Sequence, residues 1–508
     1  MLTTSYNTMS RAALGTLHRV TICRRLPHRQ STRWRSAKSS GSPGPSNKSA
    51  HVAVAGAFLA VGAGYALTSY FSTADTPNIN AASPVPRVKD APSGREQDIP
   101  VASPVRSLDL EAANKKLREQ VHSFSFPSKD GGKGRIDVVR VPSNNPVEDN
   151  WSVGVGRGLG GVDAGTVFAG VYDGHAGWAT SSVLRESLIP YVSTSLAALA
   201  PSSSPDAVDS AIKTAFRNLD DRIMETAKTA AAAHNPGSPD ALSALAPAVA
   251  GSCALLTIYD PLSSTLRTAV TGDSRAVLGS WSPESSTFGA SALSVDQNGF
   301  NQDEVARISA AHPGEKDDIL DPRTGRLLGM AITRAFGDHR WKYPLDLLRH
   351  LEANFFESGP RPRYKTPPYM TAEPEVTTRR VGTRDFVILA SDGLWDHMTN
   401  EDAVACVSRW LAARRAGRAE GLAQGEQRTG ELAVAREGFG SWRATPEYFA
   451  IEDLDNAAVC LAKNALGGSR RELFRGVMTE TSPRSRYVRD DVTVQVIFFG
   501  DPYEKKAP

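Results

Sequence analysis

Acidic side chains recur at the ends of apolar runs in this chain, and their placement defines the chemistry to look for. Asp173 ends "VFAGVY" and is followed by Gly174 and His175. Asp273 ends "LRTAVTG", and Asp392 ends "FVILAS". Asp490 and Asp491 open the final apolar run, while Glu148 and Asp149 follow "NNPV". A strand is stiff, so a side chain at its end is held in place. Several carboxylates at one sheet edge repel one another and raise each other's pKa. A hard divalent cation relieves that repulsion. Mg²⁺ and Mn²⁺ take oxygen ligands and keep several waters. Histidine and cysteine are too scattered for zinc. Each motif alone is weak, since Asp-Gly is a common turn, "GDSR" fits a tight hairpin and "RDD" fits a polar strand opening.

The elements that must position these acids can be read from periodicity. Apolar runs predict strands over 166–173, 252–260, 266–273, 275–281, 386–392 and 491–499. Helical patterning covers 110–121, 176–196, 205–230, 302–311, 401–414 and 453–466. Short turns within 252–281 make that part antiparallel. The absence of regular strand–helix alternation disfavours a doubly wound parallel sheet. Two stretches, near 229–248 (Ala/Pro-rich) and 414–445 (polar and Gly-dotted), read as surface insertions in a domain spanning 108–502.

The N-terminal part is different in kind. Residues 1–74 hold seven Arg and two Lys and no Asp or Glu. The Arg/Ser-rich stretch 1–48 has the composition of a mitochondrial import segment. Residues 51–71, within an uncharged stretch 49–74, are long enough to span about 30 Å of hydrocarbon as a helix, although their many Ala and Gly also fit a cleaved or interfacial segment. Residues 75–107 are Pro/Ser-rich and read as a linker.

The formal net charge of +3 hides this asymmetry. Without the nine N-terminal cations the body carries 49 basic against 55 acidic side chains, a net of −6. An acidic body argues against a nucleic-acid binder, including a two-metal nuclease. Cys23, Cys253, Cys406 and Cys460 form no C-x-x-C pair and suit a reducing compartment.

Taken in order, "NNPVEDNW", "VFAGVYDGHAG", "TGDSRAVLG", "LGMAITRAFGD", "TAEPEV", "FVILASDGLWD" and "RDDVTVQVIFF" resemble the successive motifs of the metal-dependent type-2C serine/threonine protein phosphatases. They run from about residue 120 to 500. "LREQVHSFSF", "NNPVED" and "HRWKYPLDLLRHLEANFFESGP…YKTPPYMTAEPEV" resemble the pyruvate dehydrogenase phosphatase branch, which is mitochondrial.

The resemblance implies an α+β fold, a four-layer sandwich of two packed antiparallel sheets flanked by helices. It implies two Mg²⁺ or Mn²⁺ ions, with a weaker third. Asp173 would bridge the pair, with the Gly174 carbonyl on one ion and Asp392 and Asp490 on the other. Glu148 and Asp149 would act mostly through metal-bound waters, and Asp273 would help hold the third ion. His175 would protonate the leaving oxygen while a metal-activated water attacks.

One position departs from the wider family. Many type-2C enzymes carry an arginine for substrate phosphate four residues before Glu148, and here that position is Asn144. Arg334 is a second candidate, read as more structural. Asp338 is expected to satisfy local backbone or Arg334, Asp491 to support a neighbouring ligand, and His312 and His397 to be structural.

The substrate implied is a phosphoprotein, the E1 component of pyruvate dehydrogenase. Another mitochondrial phosphoprotein, or a non-catalytic scaffold of the same fold, are the alternatives. If residues 51–71 stop in the inner membrane, the body faces the intermembrane space. If they are cleaved or anchor from inside, it faces the matrix.

Overall fold

The structure, a computed structural model, describes residues 105–128, 132–161, 165–420, 433–434 and 440–502. The expected import segment and the uncharged segment 49–74 lie outside the described residues, as do most of the linker and most of 421–439. Among the described residues no helix is long and apolar enough to cross a membrane.

Eleven strands build two antiparallel sheets. In chain order they are β1 (Val121–Pro127), β2 (Lys133–Val141), β3 (Asn150–Gly156), β4 (Thr166–Tyr172), β5 (Ala254–Asp260), β6 (Thr265–Thr271), β7 (Arg275–Ser282), β8 (Thr287–Ala292), β9 (Glu375–Arg380), β10 (Phe386–Ala390) and β11 (Val492–Phe498). One sheet has the order β1-β2-β11-β10-β7-β8 and the other β9-β6-β5-β4-β3.

Alternation along the strands shows how the layers stack. On β10, Val387 and Leu389 face one cluster, with Ile136, Val138, Val167, Val171, Leu255 and Val270 from both sheets. Phe386, Ile388 and Ala390 face the opposite side, against Val404, Val407 and Trp410 of helix Asn400–Ala416 and Val459 and Leu461 of helix Ala457–Ala465. Successive strand side chains point to opposite faces, so these strands are apolar throughout because both faces are covered. The other sheet is covered by helices Ala179–Ala197, Pro205–Ala233 and Pro239–Val249. The result is the helix–sheet–sheet–helix sandwich expected.

Two expectations need correction. The stretch 229–248 is no surface excursion. It completes one long helix and, after a short turn, forms Pro239–Val249, with Ala241, Leu245 and Ala248 buried. Pro239 sits in the first helical turn, where its missing N–H costs nothing. The first helix is also shorter than its pattern, Leu110–Leu117, because β1 begins at Val121 and pairs with Val139.

Antiparallel pairing explains why distant acids converge. β4 and β6 both flank β5 and therefore run the same way, so Asp173 and Asp273 leave the sheet at one edge. β3 runs opposite to β4 and starts there, which brings Asp149 to that edge. In the facing sheet, β10 ends and its partner β11 begins at one edge, placing Asp392 beside Asp490 and Asp491.

Candidate metal centre

Carboxylate oxygens of Asp173, Asp273 and Asp392 lie within 4.8 Å of one another. The Asp392 backbone N–H donates to Asp173 Oδ2 at 3.4 Å. Burial first, then the neighbouring acids, hold Asp173 and Asp392 well above the ordinary carboxylate range. Asp273 is raised to about 6 by burial and by Asp296. Asp149 is also raised, by burial and then by Asp491.

These residues fit hard divalent cations. The donors are all carboxylate oxygens, and Asp392 Oδ1 is buried without a hydrogen-bond partner. An orphaned buried carboxylate oxygen is costly unless a cation or proton meets it.

The surrounding residues hold the acids from behind. Asp491 is buried and accepts hydrogen bonds from the backbone N–H groups of Ser143, Asn144, Glu148 and Asp149 and from the Ser143 hydroxyl. Its oxygens therefore organise the 143–149 loop. Ser391 Oγ donates to Asp149 Oδ2 at 2.8 Å, joining that loop to the residue before Asp392. Gly174 must lack a side chain, because a Cβ there would lie 2.3 Å from the Glu148 carbonyl oxygen. Glu148 accepts from the Gly177 N–H at 2.6 Å through one oxygen and from Asn144 Nδ2 at 2.7 Å through the other. Burial chiefly raises its pKa.

Asp490 is not one of the three acids drawn within 4.8 Å. Its charge reaches both Asp173 and Asp392, and it forms an ion pair with Arg486. Asn144 has its amide on Glu148. Arg334 is buried in a network, donating to Glu304 and Glu375 and to the Glu373 carbonyl.

His175 shows what local sequence could not. Its Nε2 lies 2.7 Å from Asp338 Oδ2, a contact across 163 positions. This corrects the expectation for Asp338, which serves neither Arg334 nor purely local backbone. Asp338 adopts a left-handed backbone (φ 56°), which only its structural context can justify. Gly251 makes room, since a Cβ there would lie 2.1 Å from His175 Nε2. Burial alone would lower the His175 pKa, but Asp338, then Asp273 and Glu148, raise it overall. The ring is therefore held protonated to higher pH than a free imidazole.

His312 and His397 are placed as structural groups. His312 Nδ1 meets Thr366 Oγ1 at 2.8 Å, and His397 stacks on Trp442 at 4.1 Å between ring centres.

Comparison with known proteins identifies the family. The family model described as protein phosphatase 2C matches residues 156–432. A protein phosphatase 2C homolog of Schizosaccharomyces pombe is 39% identical over 409 residues, covering 78% of this chain and 87% of that protein. The mitochondrial pyruvate dehydrogenase (acetyl-transferring) phosphatase 1 of Saccharomyces cerevisiae is 35% identical, covering 85% and 79% respectively. Its Homo sapiens namesake is 29% identical, covering 76% and 82%. A solved serine-threonine phosphatase 2C of Toxoplasma gondii aligns with 17% identity and a TM-score of 0.38, over 74% of this chain and 94% of that one. With the motifs in order and the acids at one edge of the sandwich, the chain belongs to the protein phosphatase 2C family and is a protein serine/threonine phosphatase.

Proposed function

We propose that this phosphatase hydrolyses phosphoserine or phosphothreonine with two Mg²⁺ or Mn²⁺ ions, and a weaker third, held at the acid cluster, and that it reactivates the pyruvate dehydrogenase complex. The observation that carries the reaction is the triad Asp173, Asp273 and Asp392 with its orphaned oxygen. Bound there, the cations would supply a deprotonated water and offset the charge of the phosphate dianion. Asp173, Asp392 and Asp490 would hold them, with the Gly174 carbonyl, and Glu148 and Asp149 would orient water. Asp273 would serve the third ion.

The chain's own acid solves the other half of the problem. A serine or threonine alkoxide is a poor leaving group and needs a proton as it departs. His175, kept protonated by Asp338, supplies it from the edge of the cluster. In this reading Asp338 orients the ring and sets its pKa without touching substrate.

The substrate reading rests on the relatives that bear the pyruvate dehydrogenase phosphatase name and on the branch motifs. The acid-free, Arg-rich N-terminus supports a mitochondrial address, in the matrix or at the inner membrane through residues 51–71. Protease protection in intact and swollen mitochondria would read the side. The functional test is to incubate the protein and Mg²⁺ with phosphorylated E1 and follow phosphate release and regained dehydrogenase activity. Release with reactivation is expected. Turnover of a small aryl phosphate without release from E1 would redirect the enzyme to another mitochondrial phosphoprotein. No metal-dependent turnover of either would favour a scaffold.

A further inference from the structure

A cation of the protein beside the metal ions would favour a phosphate dianion in this acidic cleft, and the other arginines considered are paired or buried. Asn144 carries no charge and its amide is on Glu148. Arg334 is buried against Glu304 and Glu375. Arg140 donates to the Asp149 carbonyl, Asn150 and Gln120. Arg275 is paired with Asp296 and lies over Trp395. Arg489 is only 2% exposed.

Arg486 differs from all of these. Its side chain is 37% exposed, it pairs with Asp490, and its charge also interacts with Asp392 and Asp173. It therefore stands where solvent meets the acid cluster. The backbone that carries it is fixed. The short turn Arg484–Tyr487 contains buried Ser485, whose hydroxyl donates to the Ser143 carbonyl. Ser485 O also accepts from the N–H groups of Val488 and Arg489 at 2.9 Å. The turn is thus pinned to the loop that Asp491 organises, and Arg486 keeps its place relative to the acids.

We infer that Arg486 binds the phosphate group of the substrate, offering its guanidinium fork to oxygens that compete with Asp490. This rests on the metal-dependent phosphatase reading above and adds the protein cation that reading lacks. A planar guanidinium suits phosphate because it donates two parallel hydrogen bonds, which a lysine cannot reproduce.

The test compares the purified full chain with Arg486→Gln and Arg486→Lys, using Mn²⁺ in excess. Hydrolysis of p-nitrophenyl phosphate and of a phosphoserine peptide would be measured, together with inhibition by inorganic phosphate. For Arg486→Gln, KM and the phosphate inhibition constant should both rise by about tenfold, the loss expected for a charge-assisted hydrogen bond. The kcat should fall much less, Arg486→Lys should recover part of the loss, and the Mn²⁺ activation midpoint should stay put or move lower. The proposal is overturned if Arg486→Gln turns over with KM and phosphate inhibition unchanged. It is equally overturned if kcat alone collapses, or if Mn²⁺ activation weakens while phosphate inhibition holds. Absence of Mn²⁺-dependent turnover in the unaltered chain would instead overturn the reading beneath it.

Discussion

Two regions of this molecule bury carboxylates, and they treat them in opposite ways. Around Arg334, Glu304 is surrounded by guanidinium groups from Arg334 and Arg307 and by the Thr333 hydroxyl. Burial would raise its pKa, but those partners hold it down at about 2. At the sheet edge, Asp273 is buried among fellow acids and rises to about 6, and Asp173 and Asp392 rise further above the ordinary range. The first region is electrostatically complete as folded. The second keeps an excess of buried negative charge, which the proposed cations would offset. Burial alone therefore says little about a carboxylate's purpose, and the sign of its neighbours says a great deal.

The largest effect should come from removing a charge in the incomplete region. Asp392→Asn is expected to cut turnover on the order of a thousandfold, because several kcal/mol of electrostatic stabilisation disappear with the metal ligand. It should not destabilise the metal-free fold, since it removes repulsion. Steady-state assays and melting in EDTA would check both halves.

The complementary change breaks the complete region. Arg334→Ala leaves Glu304 buried without its main partner, and loss of one member of a buried pair costs about 3–5 kcal/mol. Denaturant unfolding should show that loss, while the surviving folded fraction keeps its KM for aryl phosphate. A large KM increase in a well-folded Arg334→Ala would place that arginine at the substrate instead.

A subtler change separates His175 from the metal chemistry. Asp338→Asn removes the charge that raises the His175 pKa. Activity on alkyl phosphates requires the protonated ring, so it falls as pH rises through that pKa. In Asp338→Asn the fall should begin at lower pH. Aryl phosphates, whose phenolate leaves readily, should be affected much less. Equal shifts for both substrates would argue against the acid role.

The smallest effect is a pH signature of the contrast itself. A carboxyl raised from 3.8 to about 6 retains its proton in the fold, so its contribution to stability falls as pH rises through that window. Glu304, lowered from 4.5 to about 2, does the reverse and loses its contribution only as pH falls below its ordinary range. The metal-free chain should therefore melt at higher temperature near pH 5 than near pH 7. Mn²⁺ should reduce that difference. Calorimetry in EDTA and in Mn²⁺ would show it.

Much of this was legible in the sequence because it is local. Apolar runs ending in Asp173, Asp273 and Asp392 disclosed both the strands and the acids they carry. What stayed hidden depends on distant pairing. The partner of His175 is Asp338, across 163 positions, reached through a left-handed turn that no local pattern announces. Glu304, a surface-like residue on an amphipathic helix, turned out to be the anchor of Arg334. Composition misled at 229–248, where alanine supplies helix propensity and small buried contacts. Arg486 was also missed, since "PRSRYVRDD" reads as one undifferentiated polar approach to the last strand.

The most direct test is a calorimetric titration of the metal-free chain with Mn²⁺, repeated for Asp173→Asn and followed by activity at each metal concentration. Two ions should bind with turnover tracking their uptake, and the asparagine variant should lose that binding and the turnover together. Unaltered Mn²⁺ uptake and activity in Asp173→Asn would contradict the assignment of the sheet-edge acids as the cation site.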